Sequence, residues 1–259
     1  MKLLKFLFIA LFGVLLFSCS NDDSTRMIVR LTDSPGDYEK INIDIVGVQV
    51  HREGGNQESG WMELDANASI YDLLELTDGV ETVIANSMVP PGKISQVRLV
   101  LGDNNSVLVD GTEHALTTPS AHQSGLKLQV HETLTEGITY SLLLDFDGAK
   151  SVVKTGADKY ILKPVIRTIA EAQDGAISGT VIPAIENVAV YAMVGEDIMG
   201  TSYAVEDNAD FFIGGLDEGT YTLVFDPGEL SDYDVQIIEG VKVVIGEITD
   251  HGETTLQLK

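Results

Sequence analysis

Apolar residues recur at every second position through much of the chain, and that period most narrows what it can become. Ile41, Ile43 and Ile45, then Val48 and Val50, alternate with one slip near Gly47. Residues two apart share a strand face, so this stretch predicts a half-buried strand, with the slip marking a bulge. Val97, Leu99 and Leu101 repeat the pattern, as do Leu126, Leu128 and Val130. Val107-Leu108-Val109 followed by Asp110-Gly111 predicts a hairpin arm and its turn. Leu142-Leu143-Leu144 is unbroken, the pattern of a strand covered on both faces. Only Ala68 to Thr77, with Ile70, Leu73, Leu74 and Thr77 at helical spacing, predicts a helix, capped by Asn67 or Ser69. The expected fold class is all-β with one short helix.

Charge then removes whole classes of function. The chain has 259 residues, with 40 Asp plus Glu against 16 Lys plus Arg, and a formal net charge of −24. Binding to nucleic acid or to an anionic membrane surface needs a basic footprint, which this balance does not supply. At 44% hydrophobic the chain has the apolar residues for a core, unlike an acidic disordered tail. Its single cysteine excludes an intrachain disulfide and any multi-cysteine zinc or iron–sulfur site.

That cysteine has a telling position. Lys2 and Lys5 precede an apolar run from Phe6 to Phe17, which is a basic segment and a hydrophobic segment of secretory-signal length. The run is too short to cross a bilayer of about 30 Å as a helix. Leu16, Ser18 and Cys19 resemble the lipobox of bacterial lipoproteins, with Phe17 standing where a smaller residue is usual. The resemblance implies cleavage after residue 18 and lipidation of Cys19, which makes the membrane a partner through the lipid. Each buried methylene of an acyl chain contributes about 0.8 kcal/mol to such anchoring. Residues 19–25 then form the lipidated end and a polar tether. Asn21-Asp22-Asp23 resembles the acidic signal that sends Bacteroidota lipoproteins to the outer surface, and Asp23-Ser24-Thr25 resembles their O-glycosylation triplet.

A polar break at Glu171 to Gly175 predicts two consecutive β-sandwich-like domains, 26–170 and 175–259, joined by a linker at 171–174. In the second, Gly179-Thr180-Val181, Asn187 to Tyr191, and then Phe211, Ile213, Leu216, Gly219, Tyr221 and Leu223 resemble the carboxypeptidase regulatory-like, transthyretin-like family. That resemblance implies a seven-stranded sandwich used as a rigid module, with no catalytic residues. Ala209 stands where the family often has Gly. In the first, Leu31-Thr32-Asp33-Ser34-Pro35, Gln96 to Leu99, Thr118-Pro119-Ser120, Gly125-Leu126-Lys127, Leu144 to Asp147 and Tyr160 to Pro164 come in a characteristic order. Together they resemble domain of unknown function 4382, which implies a β-rich sandwich and brings no activity.

Catalytic patterns are sparse. His131-Glu132 begins like a zincin helix, but Thr135 stands where the second ligand belongs. His51, His114, His122, His131 and His251 are expected as scattered surface or strand residues. Ser124 to Lys127 and Ser151 to Lys154 fit S-x-x-K without its partner motifs, and no G-x-S-x-G or phosphate-binding loop occurs. Asp145-Phe146-Asp147-Gly148 begins like a calcium loop, and Asp145 and Asp147 are the candidate metal ligands. No Glu follows at the required spacing, so the preferred reading is two carboxylates on one strand face, neutralised by Lys127, Arg98 or Lys163. Asp103-Asn104-Asn105 and Asp207 to Asp210 are expected turns. Trp61 and the Tyr residues are the only hints of a carbohydrate platform, and for Trp61 core packing, plugging a sandwich edge, is the preferred account.

These readings converge on a non-enzymatic, cofactor-free envelope protein at the outer membrane or cell surface. Its expected role is binding or structural. The alternatives are an accessory in glycan or nutrient capture or surface attachment, with surface glycans or envelope proteins as partners, and a surface hydrolase.

Overall fold

The computed structural model describes residues 24–259, apart from residues 35, 55–59, 119–124, 157–158, 186–187 and 205–208. Cys19, His122, Ser124 and the Asp207-Asn208 turn therefore lie outside the described residues. The described chain is almost entirely strand.

Alternation becomes two layers in the first part of the molecule. The strands are β1 (Thr25–Asp33), β2 (Lys40–Arg52), β3 (Trp61–Glu63), β4 (Ser69–Asp72), β5 (Thr82–Val89), β6 (Gly92–Leu101) and β7 (Ser106–Val109). They continue as β8 (Thr112–Thr117), β9 (Leu126–Leu134), β10 (Thr139–Phe146), β11 (Val152–Gly156), β12 (Lys159–Leu162) and β13 (Ile166–Ala172). One sheet has the order β13-β10-β1-β5. The other runs β11-β12-β8-β7-β2-β6-β9, with β3 and β4 also pairing with β2. Leu31, Ile43, Val50, Leu99, Leu144 and Phe146 are fully buried members of the cluster between them. The expected slip in β2 is a register shift between Ile45 and Gly47 against β6. In β10, Leu142 and Leu144 face the core while Leu143 is half-buried, so its two faces are covered unequally.

The Asp-Gly turn forms as predicted. Asp110 (φ 49°) and Gly111 (φ 71°) both take the left-handed conformation, which joins β7 to β8 with the twist their pairing needs. The predicted helix over Ala68 to Thr77 does not form. Ser69–Asp72 is β4, paired antiparallel with Asn42 to Ile45, and only Leu73–Leu76 winds into one 3-10 turn. Neither Asn67 nor Ser69 caps that turn. Asp72 does, accepting from the Leu74 N–H. A free edge of β2 satisfies the backbone of residues 69–72, and that outweighs the helical spacing of a few side chains.

Seven more strands follow: β14 (Gly175–Ile182), β15 (Val188–Val194), β16 (Asp197–Ala204), β17 (Asp210–Leu216), β18 (Gly219–Asp226), β19 (Gln236–Val243) and β20 (Ile248–Thr255). They make a three-stranded sheet, β17-β14-β20, and a four-stranded one, β16-β15-β18-β19. A second core lies between, in which Phe211 and Phe225 meet edge-to-face at 5.4 Å.

The segment between β13 and β14 is short and held. Glu171 and Ala172 belong to β13, which leaves Gln173 and Asp174. The Gln173 N–H donates to the Thr139 carbonyl at 2.7 Å, and the Asp174 carboxylate accepts from the Thr139 N–H at 2.7 Å. The Asp174 carbonyl accepts from the Gly246 N–H at 2.8 Å. At the other end, the tether stops one residue earlier than expected. Thr25 is the first residue of β1, fully buried, and its hydroxyl donates to the Ile138 carbonyl. Of the two hydroxyl residues in the glycosylation-like triplet, Ser24 is half-buried and Thr25 fully buried.

Candidate functional site

Two places gather polar chemistry. The first is the corner where β1 and β10 end. These strands run parallel and place Asp33 opposite Phe146, between Asp145 and Asp147. Asp145 faces Arg167 directly across β10 and β13, and accepts from its guanidinium at 2.6 Å. Asp147 is past the end of β10 and caps α1 (Gly148–Ser151), accepting from the Lys150 N–H at 3.0 Å and from its ammonium at 2.6 Å. That pairing with Lys150 holds the Asp147 carboxyl below the usual carboxylate range. The two carboxylates therefore do not share a strand, and their cations are Arg167 and Lys150 rather than Lys127, Arg98 or Lys163. Strand pairing chooses such partners, and the sequence between them does not display it.

Asp33 received no role from sequence, although an acid ending an apolar strand was the available signal. It is 5% exposed. One carboxylate oxygen accepts from the Gly148 N–H at 2.8 Å, and the other is buried without a partner among the described residues. Burial pushes its carboxyl up to about 6, with the negative charges of Asp147 and Asp145 adding to the effect and the Gly148 and Ser34 N–H groups opposing it. Gly148 is needed here because a Cβ would come within 3.1 Å of that carboxylate.

Ser151, from one S-x-x-K match, is a structural residue. Its hydroxyl donates to the Asp147 carbonyl at 2.6 Å and accepts from the Val165 N–H at 2.8 Å. Asn104 and Asn105 stitch their turn to Asp44 of β2, as turn residues should. Among the described residues, no three His, Cys, Asp or Glu side chains are grouped to hold a metal ion.

The second place is the outer face of β3, β2, β6 and β9. Beyond the bulge, Val48 and Val50 point inward, so Gln49 and His51 point out. Two rows cross the four strands in register: Glu63, Gln49, Arg98, Lys127, and beside it Trp61, His51, Gln96, Gln129. Trp61 is half-buried on this face rather than packed into the core. The Arg98 guanidinium lies 3.8 Å from the centre of its ring and the Lys127 ammonium 5.6 Å away, both within cation–π range. His51 meets the indole edge-on at 5.0 Å. Arg98 also donates to the Gln49 amide at 2.9 Å, and Gln49 donates in turn to Glu63. Gly60 keeps this arrangement open, because a Cβ there would fall 2.5 Å from the His51 ring. Sequence reasoning singled out Trp61 alone and missed the cations over it.

The fold and these sites define a β-sandwich protein built from stacked, mainly antiparallel sheets. Residues 24–164 match the family model described as domain of unknown function DUF4382, and the chain belongs to that family. No curated protein matches the chain in sequence. Among solved structures, it resembles the Bacillus anthracis TIE protein at 10% identity and a TM-score of 0.26, covering 86% of this chain and 35% of that one. The chain thus spans about a third of that protein's length. GBS52, the minor pilin of Streptococcus agalactiae, aligns at 8% identity and a TM-score of 0.24, covering 90% and 97% of the two chains. The T6 backbone pilin of serotype M6 Streptococcus pyogenes aligns at 9% identity and a TM-score of 0.24, covering 85% and 81%. Scores this low carry no argument about function.

Proposed function

We propose that the protein is a lipid-anchored component of the cell envelope, held through Cys19 at the outer membrane or cell surface. Its β body acts there without catalysis, as a binding or structural module. The observation that carries this reading is the single cysteine at the end of an apolar run, with β1 beginning six residues later. A lipidated Cys19 would hold a layered β body close to its membrane, with the acidic surface keeping it off anionic headgroups.

Residues 175–259 serve in this proposal as a carboxypeptidase regulatory-like module. Their seven strands in sheets of three and four support that, as does Ala209, whose φ of 59° is the left-handed conformation that a glycine would adopt easily. A second role, accessory capture of surface glycans, is favoured by the Trp61 face, where an aromatic ring lies among amides and cations.

The test is Cys19→Ala followed by membrane fractionation and mass spectrometry. The wild type is expected in the membrane fraction with an acyl-modified Cys19, and the variant released or left unprocessed. A processed variant still bound to membranes, with no acyl chain on the wild type, refutes the anchor.

A further inference from the structure

We propose that the outer face around Trp61 is a binding site for an acidic oligosaccharide, one whose sugar rings bear carboxylates. The first reason is charge. With 40 acidic and 16 basic residues, a cation of this chain has many carboxylates to pair with. Arg30, Lys40, Lys93, Lys150 and Arg167 are paired in this way. Arg98 and Lys127 have none among the described residues, yet both are drawn to the same indole ring. The Arg98 Nε–H is buried and has no acceptor among the described residues. Two like charges on one ring repel each other, and a carboxylate placed between them relieves that repulsion. Glu63, at the far end of the row, is occupied by the Gln49 amide, and carboxylates elsewhere on the body are screened beyond about 8 Å at physiological salt.

The second reason is the rest of the face. Gln96 and Gln129 each present an amide with donors and an acceptor, which matches the paired hydroxyls of a sugar, while the Gln49 amide is held between Arg98 and Glu63. With strands about 4.8 Å apart, the rows across β3, β2, β6 and β9 extend about 14 Å, room for several linked rings. An acidic peptide fits less well. Extended peptides are held by a free strand edge and by pockets for alternate side chains, whereas this is a sheet face of polar groups. Nucleic acid needs more cations than two.

The experiment uses the full-length mature protein in detergent, titrated calorimetrically with an oligogalacturonate, with its carboxyl-reduced galactose counterpart, and with an oligoglutamate of equal charge. The uronate is expected to bind, the reduced sugar at least tenfold more weakly, and the oligoglutamate not measurably. Lys127 is exposed, so Lys127→Gln should leave the melting temperature unchanged while weakening uronate binding three- to tenfold. Arg98→Gln should weaken it more. Equal binding of the uronate and its reduced form, equal binding of the oligoglutamate, insensitivity to both substitutions, or no uronate binding each overturns the proposal. None of these outcomes depends on Cys19, so the anchor and this site stand or fall separately.

Discussion

Asp33 is a carboxyl group held out of water with half of its hydrogen-bonding capacity unused. In the unfolded chain it ionises near 3.8, and in the folded protein near 6. Between those values the folded state keeps a proton that the unfolded state has lost, so stability falls as pH rises from about 4 to 6. Above 6 the loss is complete and constant. A gap of about two units corresponds to about 3 kcal/mol. Asp33→Asn removes the titration and keeps an oxygen for the Gly148 N–H. We expect the variant to match or exceed the wild type in melting temperature at pH 7 and to lose that advantage by pH 4. A difference that stays constant across that range shows that Asp33 does not titrate in this way. Asp145 and Asp147, beside it, have Arg167 and Lys150 for charge. Their stability should therefore be indifferent to calcium, and a melting scan in millimolar calcium against chelator should show little or no shift. A saturable rise abolished by Asp147→Asn would make this corner a cation site instead.

The short 3-10 turn shows how an element can matter more than its length suggests. Leu73 is fully buried against β1 and β2, and Asp72 accepts from the Ile41 and Leu74 N–H groups while pairing with Lys40 at 3.4 Å. Leu73→Ala should cost about 2–5 kcal/mol and Asp72→Ala about 1 kcal/mol, read by denaturant unfolding. A Leu73→Ala loss below 1 kcal/mol would mean that the turn is peripheral to the core. The same region marks where the sequence stops being legible. Strands with an inner and an outer face announce themselves by alternation, and the Asp110-Gly111 turn by its two residues, because both signals are local. Residues 69–72 carry helical spacing and still join β2, because an open strand edge is a long-range fact. The Trp61 face is illegible for the same reason. Arg98 and Lys127 reach that ring only through the register of β2, β6 and β9, which no short motif encodes.

Across the whole molecule, the joint between the two sets of sheets decides how the halves respond to stress. A polar segment such as residues 171–174 is, by composition alone, a place where a protease is expected to enter. Asp174 is 8% exposed, and its backbone and side chain both carry hydrogen bonds. Limited proteolysis of the mature protein should therefore spare residues 173–174 in the wild type and cut there in Asp174→Ala, giving fragments of about 155 and 85 residues by mass spectrometry. Early cleavage of the wild type at that position would show that the joint opens freely. Thr25 begins β1, and β1 is an interior strand, flanked by β10 on one side and β5 on the other. Any tension arriving through the N-terminal residues pulls along the axis of that strand. The hydrogen bonds to both neighbours lie across the pull and are loaded in shear, so they resist as a group instead of unzipping in turn. If Cys19 carries the proposed anchor, a body gripped this way by its N-terminal strand would bear drag in a flowing medium without its sheets peeling apart.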